Sequence, residues 1–172
     1  MRCLTTLLTA LVLLAGTAGA RAEDVYQDPR AFLEEVFGGT VPAPQKLWVK
    51  RQLKDDIRTI MGHDLGALRI RYWARDGRTA WILDDIGKEQ FITTGLVVEN
   101  GELSSVRVLV YRESRGWEVR YPAFTDQFRG AHLEPDLALD RGIDGISGAT
   151  LSVHALTRLA RLALLLDRHV QS

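Results

Sequence analysis

Cysteine is nearly missing from this chain of 172 residues, with Cys3 standing alone. Cys3 lies in an N-terminal segment that reads as a secretory signal. Arg2 is followed by the apolar run 4–15, broken only by Thr5, Thr6 and Thr9, then by small residues and the A-x-A pattern of Ala20-Arg21-Ala22. Cleavage there starts the mature chain at Glu23 without a thiol. That excludes disulfides, cysteine-ligated zinc or iron–sulfur centres and C-x-x-C-H haem attachment. Redox chemistry, if present, then falls to an organic cofactor or to histidine and carboxylate ligands. Histidine is scarce as well, and His63, His132, His154 and His169 show no ligand spacing. No metal site and no catalytic residue is therefore assigned.

An excess of one charge is also lacking. The 22 basic residues, less Arg2 and Arg21, leave 20 against 22 acidic ones, a mature net charge of about −2. No basic field marks a nucleic-acid partner. The apolar N-terminal run is short for a bilayer span of about 20 residues. The expectation is cleavage and export to the periplasm or another extracytoplasmic space, peripheral to the membrane at most, with a mature protein that does not span it. The remaining 150 residues, 172 less 22, suffice for one domain with one core.

What is present is punctuation. Asp28-Pro29 opens a first helix, since Asp caps and Pro suits the first helical position, and Gly38-Gly39 closes it. Val41-Pro42-Ala43-Pro44 is a stiff connector, and a second helix is expected over 50–61 with Gly62 as its stop. From 68 to 112 the period turns strand-like, with strands over 68–74, 79–83, 91–98 and 103–112. Arg75-Asp76-Gly77-Arg78 and Glu99-Asn100-Gly101-Glu102 supply two hairpin turns. Val106, Val108 and Val110 alternate with Arg107 and Leu109, which predicts a sheet with one buried face. A short helix through Phe128 ends at Gly130. The last helix, 151 to about 169, stripes Leu156, Leu159, Ala160, Ala163, Leu166 and Val170 on one side, with Arg158, Arg161 and Asp167 away from it. The fold expected is α+β, an antiparallel curved sheet packed by helices. Residues 23–87 hold the N-terminal helices and first hairpin, and 88–172 the core, as one compact domain.

Just before that last helix the chain reads Asp144-Gly145-Ile146-Ser147-Gly148-Ala149-Thr150. A helix start presents unpaired N–H groups and the positive end of the helix dipole, so a phosphate is stabilised there without a dedicated cation. A plain cap, with Ser147 or Thr150 accepting a backbone N–H, accounts for a hydroxyl at this place. It does not account for Gly142, Gly145 and Gly148 at three-residue spacing, which leaves a backbone able to lie close to something bulky.

The D-x-x-S-G-A-T pattern resembles the flavinylation motif of FMN-binding domains, such as those of the sodium-pumping NADH:quinone oxidoreductase and the related ferredoxin-oxidising complex. Asp144, Ser147, Gly148, Ala149 and Thr150 all match. The preceding Tyr111-Arg112-Glu113-Ser114-Arg115-Gly116-Trp117 and Phe124, Gln127, Phe128 and Gly130 are similar to the loop and F-x-x-Q-F-x-G helix of the same domains. The likeness covers about residues 88–168. It implies FMN held through a phosphoester on Thr150, put there by a separate magnesium-dependent flavin transferase that takes it from FAD. The protein is then an exported electron carrier, with a membrane or periplasmic redox partner. Glu113 and Gly116 fall in the family loop, and Trp117, Tyr121, Phe124 and Phe128 are aromatic candidates for a flat ring. Arg112 and Arg115, and more weakly Arg120 and Arg129, are candidates to stabilise a reduced flavin.

Other classes fit less well. A hydrolase built on Ser147, His154 and Asp144 lacks the G-x-S-x-G elbow, and no G-x-G-x-x-G supports a dinucleotide fold. The alternative is a cofactor-free secreted α+β module that binds a ligand or a protein.

Overall fold

The computed structural model describes residues 23–171, and the signal-peptide reading of 1–22 lies outside them. Asp28 accepts the Arg30 and Ala31 N–H groups at 2.8 and 3.1 Å and opens α1 (Pro29–Val36). α2 (Arg51–Met61) stops at Gly62, which is left-handed with φ 77° and returns its N–H to the Arg58 carbonyl at 2.8 Å. β3 (Arg69–Arg75), β4 (Arg78–Ile86), β5 (Phe91–Glu99) and β6 (Glu102–Tyr111) follow as an antiparallel meander. The two expected turns carry paired positive φ values, 53° and 73° at Asp76-Gly77 and 54° and 79° at Asn100-Gly101. Their twist matches that of the strands they join.

Two strands escape the periodicity because they are short edges. β1 (Asp24–Val25) pairs with β6 and β2 (Gln45–Trp48) with β3, giving the order β1-β6-β5-β4-β3-β2. Beyond β6 the chain makes a 3-10 turn (Trp117–Arg120), α3 (Pro122–Thr125) and a second 3-10 turn (Asp126–Phe128), and ends in α4 (Thr150–Gln171). Among the described residues no helix is long and apolar enough to cross a membrane.

The expectation of one buried face is corrected, because the sheet is covered on both. α2, α4 and the segment from Val119 to Phe128 pack on one side, against Trp81, Ile92, Leu96, Val106 and Val108. α1 covers the other, where Phe32 meets Ala80, Val97, Leu109 and Val110. Gly95 makes that second layer possible, since a Cβ there would stand 2.7 Å from the Phe32 ring. The valine alternation also breaks. Thr93 pairs with Val110 but Thr94 with Val108, so Leu109 is extra, and its carbonyl accepts the N–H groups of Tyr26 and Gln27 at 2.9 and 3.2 Å. This bulge turns Val110 toward α1 and Tyr111 toward α4.

The polar residues of α4 are corrected too. Asp167 is buried, and it accepts a 2.6 Å hydrogen bond from the Thr79 hydroxyl, which itself accepts from the Trp81 indole N–H at 2.9 Å. Arg158 reaches buried Asp85 on β4 at 2.8 Å. A charge inside must be paired or hydrogen-bonded, and these contacts fix how α4 lies on the sheet.

Candidate functional site

α4 begins at Thr150, the last residue of the motif. Val153 donates its N–H to the Ala149 carbonyl and Ala149 donates to Ile146, each at 3.0 Å, so the capping position falls on Ala149. A methyl group cannot cap. Among the described residues, neither the Ser147 nor the Thr150 hydroxyl bonds to protein, and both residues are exposed. The plain-cap account of this stretch therefore fails. Helix geometry leaves the Thr150, Leu151 and Ser152 N–H groups without intrahelical acceptors, beside the positive end of the dipole. Of the three spaced glycines only Gly148 needs its identity for backbone reasons, with φ 82°. A Cβ on any of them would meet nothing within 4 Å, so this backbone lies open and touches no bulky protein group.

The segment between β6 and the motif acts as a clamp. Phe124 and Phe128 are core residues stacked edge to face, with ring centroids 5.6 Å apart, and not free ring contacts. Gln127 between them accepts the Asp144 N–H at 2.8 Å, so Asp144 is held by its backbone while its carboxylate is exposed. Arg141 donates to the carbonyls of Arg129 and Gly130 at 3.1 and 2.9 Å, and Gly130 returns its N–H to Leu103 at 2.7 Å. Asp140 beside it accepts from Arg141 and from the His132 N–H. These bonds, Arg141 first, hold its carboxyl down to about 2.

The facing wall comes from the end of β6. Tyr111, turned inward by the bulge, donates its hydroxyl proton to the Arg115 carbonyl at 2.5 Å and accepts from the Ser152 hydroxyl at 2.9 Å. Burial pushes its phenol up, so it stays a neutral donor. Gly116 sits against this pair, and a Cβ there would be 3.0 Å from both hydroxyls and 3.2 Å from the Ala149 methyl. The Glu113 carboxylate gathers the N–H groups of Lys88, Glu89 and Gln90 at 2.5, 2.7 and 2.9 Å. It thereby locks the β4–β5 turn against the loop.

Between these walls lies a cavity of about 580 Å³. Gly148 to Ser152 form one side, Glu113, Ser114 and Arg115 the other, and Lys88 the rim. The size falls in the range of cofactor pockets, roughly 300–1,000 Å³. Lys88, Arg115 and the α4 N-terminus supply the donor set a phosphate monoester requires, with the Thr150 hydroxyl among them. The residues fit FMN.

Of the sequence-predicted residues, Thr150, Gly148, Ala149, Glu113 and Arg115 line the cavity, and Gly116 packs behind it. Trp117 stands outside the lining, 40% exposed and edge to face with Tyr121, with the Arg120 guanidinium over both rings. Arg112 is taken up by Thr93, the Phe91 carbonyl and Glu23, and Arg129 pairs with Asp126. Ser147, His154 and Asp144 share no hydrogen bond among the described residues. Sequence reasoning missed Lys88 and Ser152, and it gave Tyr111, named in the resembling loop, no role of its own. Lys88 follows Gly87 in a turn whose approach to Glu113 no local pattern announces. No curated protein and no solved structure matches the chain. The family model described as the FMN-binding domain matches residues 87–165, from the β4–β5 turn into α4, so that segment is an FMN-binding domain and the chain an FMN-binding protein.

Proposed function

We propose that this protein is an exported electron carrier whose FMN is joined to Thr150 through a phosphoester. The observation that carries the reading is the Thr150 hydroxyl, exposed and unbonded at the start of α4, on the wall of a cavity that also presents Lys88 and Arg115. Attachment forms the bond from Thr150 Oγ1 to the FMN phosphorus. The pyrophosphate bond of FAD breaks, AMP leaves and the hydroxyl proton is released. Among the described residues no side chain hydrogen-bonds the Thr150 hydroxyl to take its proton, so a separate flavin transferase supplies the activation. Bound there, the flavin accepts and donates electrons. Lys88, Arg115 and the α4 N-terminus neutralise the phosphate, while Glu113 and Tyr111 hold the loop that carries Arg115. Export rests on the N-terminal signal pattern alone, and an exported carrier would meet its redox partner in the membrane or the periplasm.

Intact-mass measurement of the protein produced with a flavin transferase tests this. Wild type is expected to gain the mass of FMN less one water and Thr150→Val to gain nothing. An unmodified wild type under those conditions, with FMN exchanging freely, would remove the covalent assignment and leave a non-covalent FMN site.

A further inference from the structure

On the opposite face of the sheet, far round from the motif, the connector Val41-Pro42-Ala43-Pro44 bridges from α1 to β2 without closing onto the strands below. A cleft of about 760 Å³ remains beneath it. Its floor is Trp73 and Ile82, its walls are Leu33 and the two prolines, and Arg71 stands at its mouth. Arg30 is there too but is already paired with Glu34 at 2.9 Å, and Asp28 is occupied by the first N–H groups of α1. Arg71 is different. The register places Lys46 of β2 directly opposite it, so the two cations share one face of the sheet. Neither has an acidic partner among the described residues. Like charges directly opposed across strands are destabilising unless an anion lies between them.

An apolar slot lined by Trp73, with Arg71 at its mouth and Lys46 across the strand pair from Arg71 on the same face, has a complementary ligand. We propose that this cleft binds a flat aromatic anion, its ring between Trp73 and the prolines and its carboxylate or similar group between Arg71 and Lys46. The guanidinium matches a carboxylate in a planar, two-pronged fashion and the ammonium adds a point charge. The proposal is independent of the FMN reading, since none of these residues lines the cavity at Thr150.

The test is calorimetric titration of the whole protein with 2-naphthoate, for wild type, for the double variant Lys46→Gln/Arg71→Gln and for Thr150→Val. Wild type and Thr150→Val are expected to bind one equivalent saturably, and the double variant at least tenfold more weakly while keeping an unchanged or higher melting temperature. Neutral 2-naphthalenemethanol should bind wild type no better than 2-naphthoate binds the double variant. Equal affinity for wild type and double variant would overturn the proposal, as would no saturable binding. Sedimentation of wild type with anionic phosphatidylglycerol vesicles, undisturbed by 2-naphthoate and lost in the double variant, would also overturn it by giving these cations to a lipid surface.

Discussion

A Cβ on Gly116 would stand 3.0 Å from the Tyr111 and Ser152 hydroxyls at a backbone φ of 82°, so both sterics and backbone select glycine there. The same three residues carry the cavity wall, because the Arg115 carbonyl hangs on the Tyr111 hydroxyl. Gly116→Ala is expected to cost at least about 1 kcal/mol, from the left-handed conformation alone. It should also separate the Arg115 loop from α4. Urea denaturation checks the first effect, and reduced FMN loading in a protein that is still folded checks the second. Glu113 works at the same scale, since one carboxylate oxygen answers three backbone donors. Among neighbouring residues of the resembling loop, Glu113 and Arg115 stand on the cavity while Arg112 and Trp117 do not. That difference was invisible in the sequence, because it depends on which way the backbone leaves β6.

At the scale of elements, α1 and β5 are coupled through Phe32 and Gly95. The far edge of the ring meets the strand where a side chain is missing. Gly95→Ala is expected to destabilise by about 1–3 kcal/mol through overpacking, despite the better strand propensity of alanine. In a Phe32→Leu background the same change should cost much less. A double-mutant cycle by chemical denaturation measures that coupling, and additive effects would show that α1 is not seated on Gly95. The α1 start, the Gly62 stop and both hairpin turns were legible beforehand, since each rests on a local conformational preference. The bulge at Leu109 was not. Its carbonyl accepts Tyr26 and Gln27 beside a strand pairing more than eighty residues apart in the chain, and the bulge is what sends Tyr111 to the site.

For the molecule as a whole, acid should loosen the clamp before the motif. The Asp140 carboxyl is held down to about 2, from an ordinary value near 3.8, by Arg141 and by the His132 N–H. A depressed carboxyl contributes stability that is fully present above its unfolded value and lost as pH falls through its folded one. The Asp140→Asn variant is therefore expected to be less stable than wild type at pH 7, by about 1 kcal/mol for a partly solvated charged hydrogen bond. The difference should shrink from pH 4 downward and be mostly lost by pH 2. Urea titrations of both proteins between pH 7 and pH 2 follow it, and a constant difference would show that the charge plays no part.

The α+β class, the places where helices start and strands turn, and the motif that ends in Thr150 were all legible in the order of residues. These depend on φ preferences, capping and period, which act over a few residues. Sequence reasoning misjudged the sheet as half-exposed and Asp167 as lying away from the packed stripe, because covering layers and buried partners come from distant segments. It took the folded chain to bring Lys88 from the β4–β5 turn, Arg115 from the loop after β6 and the α4 N-terminus around one cavity. The physical reason is long-range pairing: a bulge in β6, a missing side chain at Gly116 and the carboxylate of Glu113 set distances that no neighbouring residues encode.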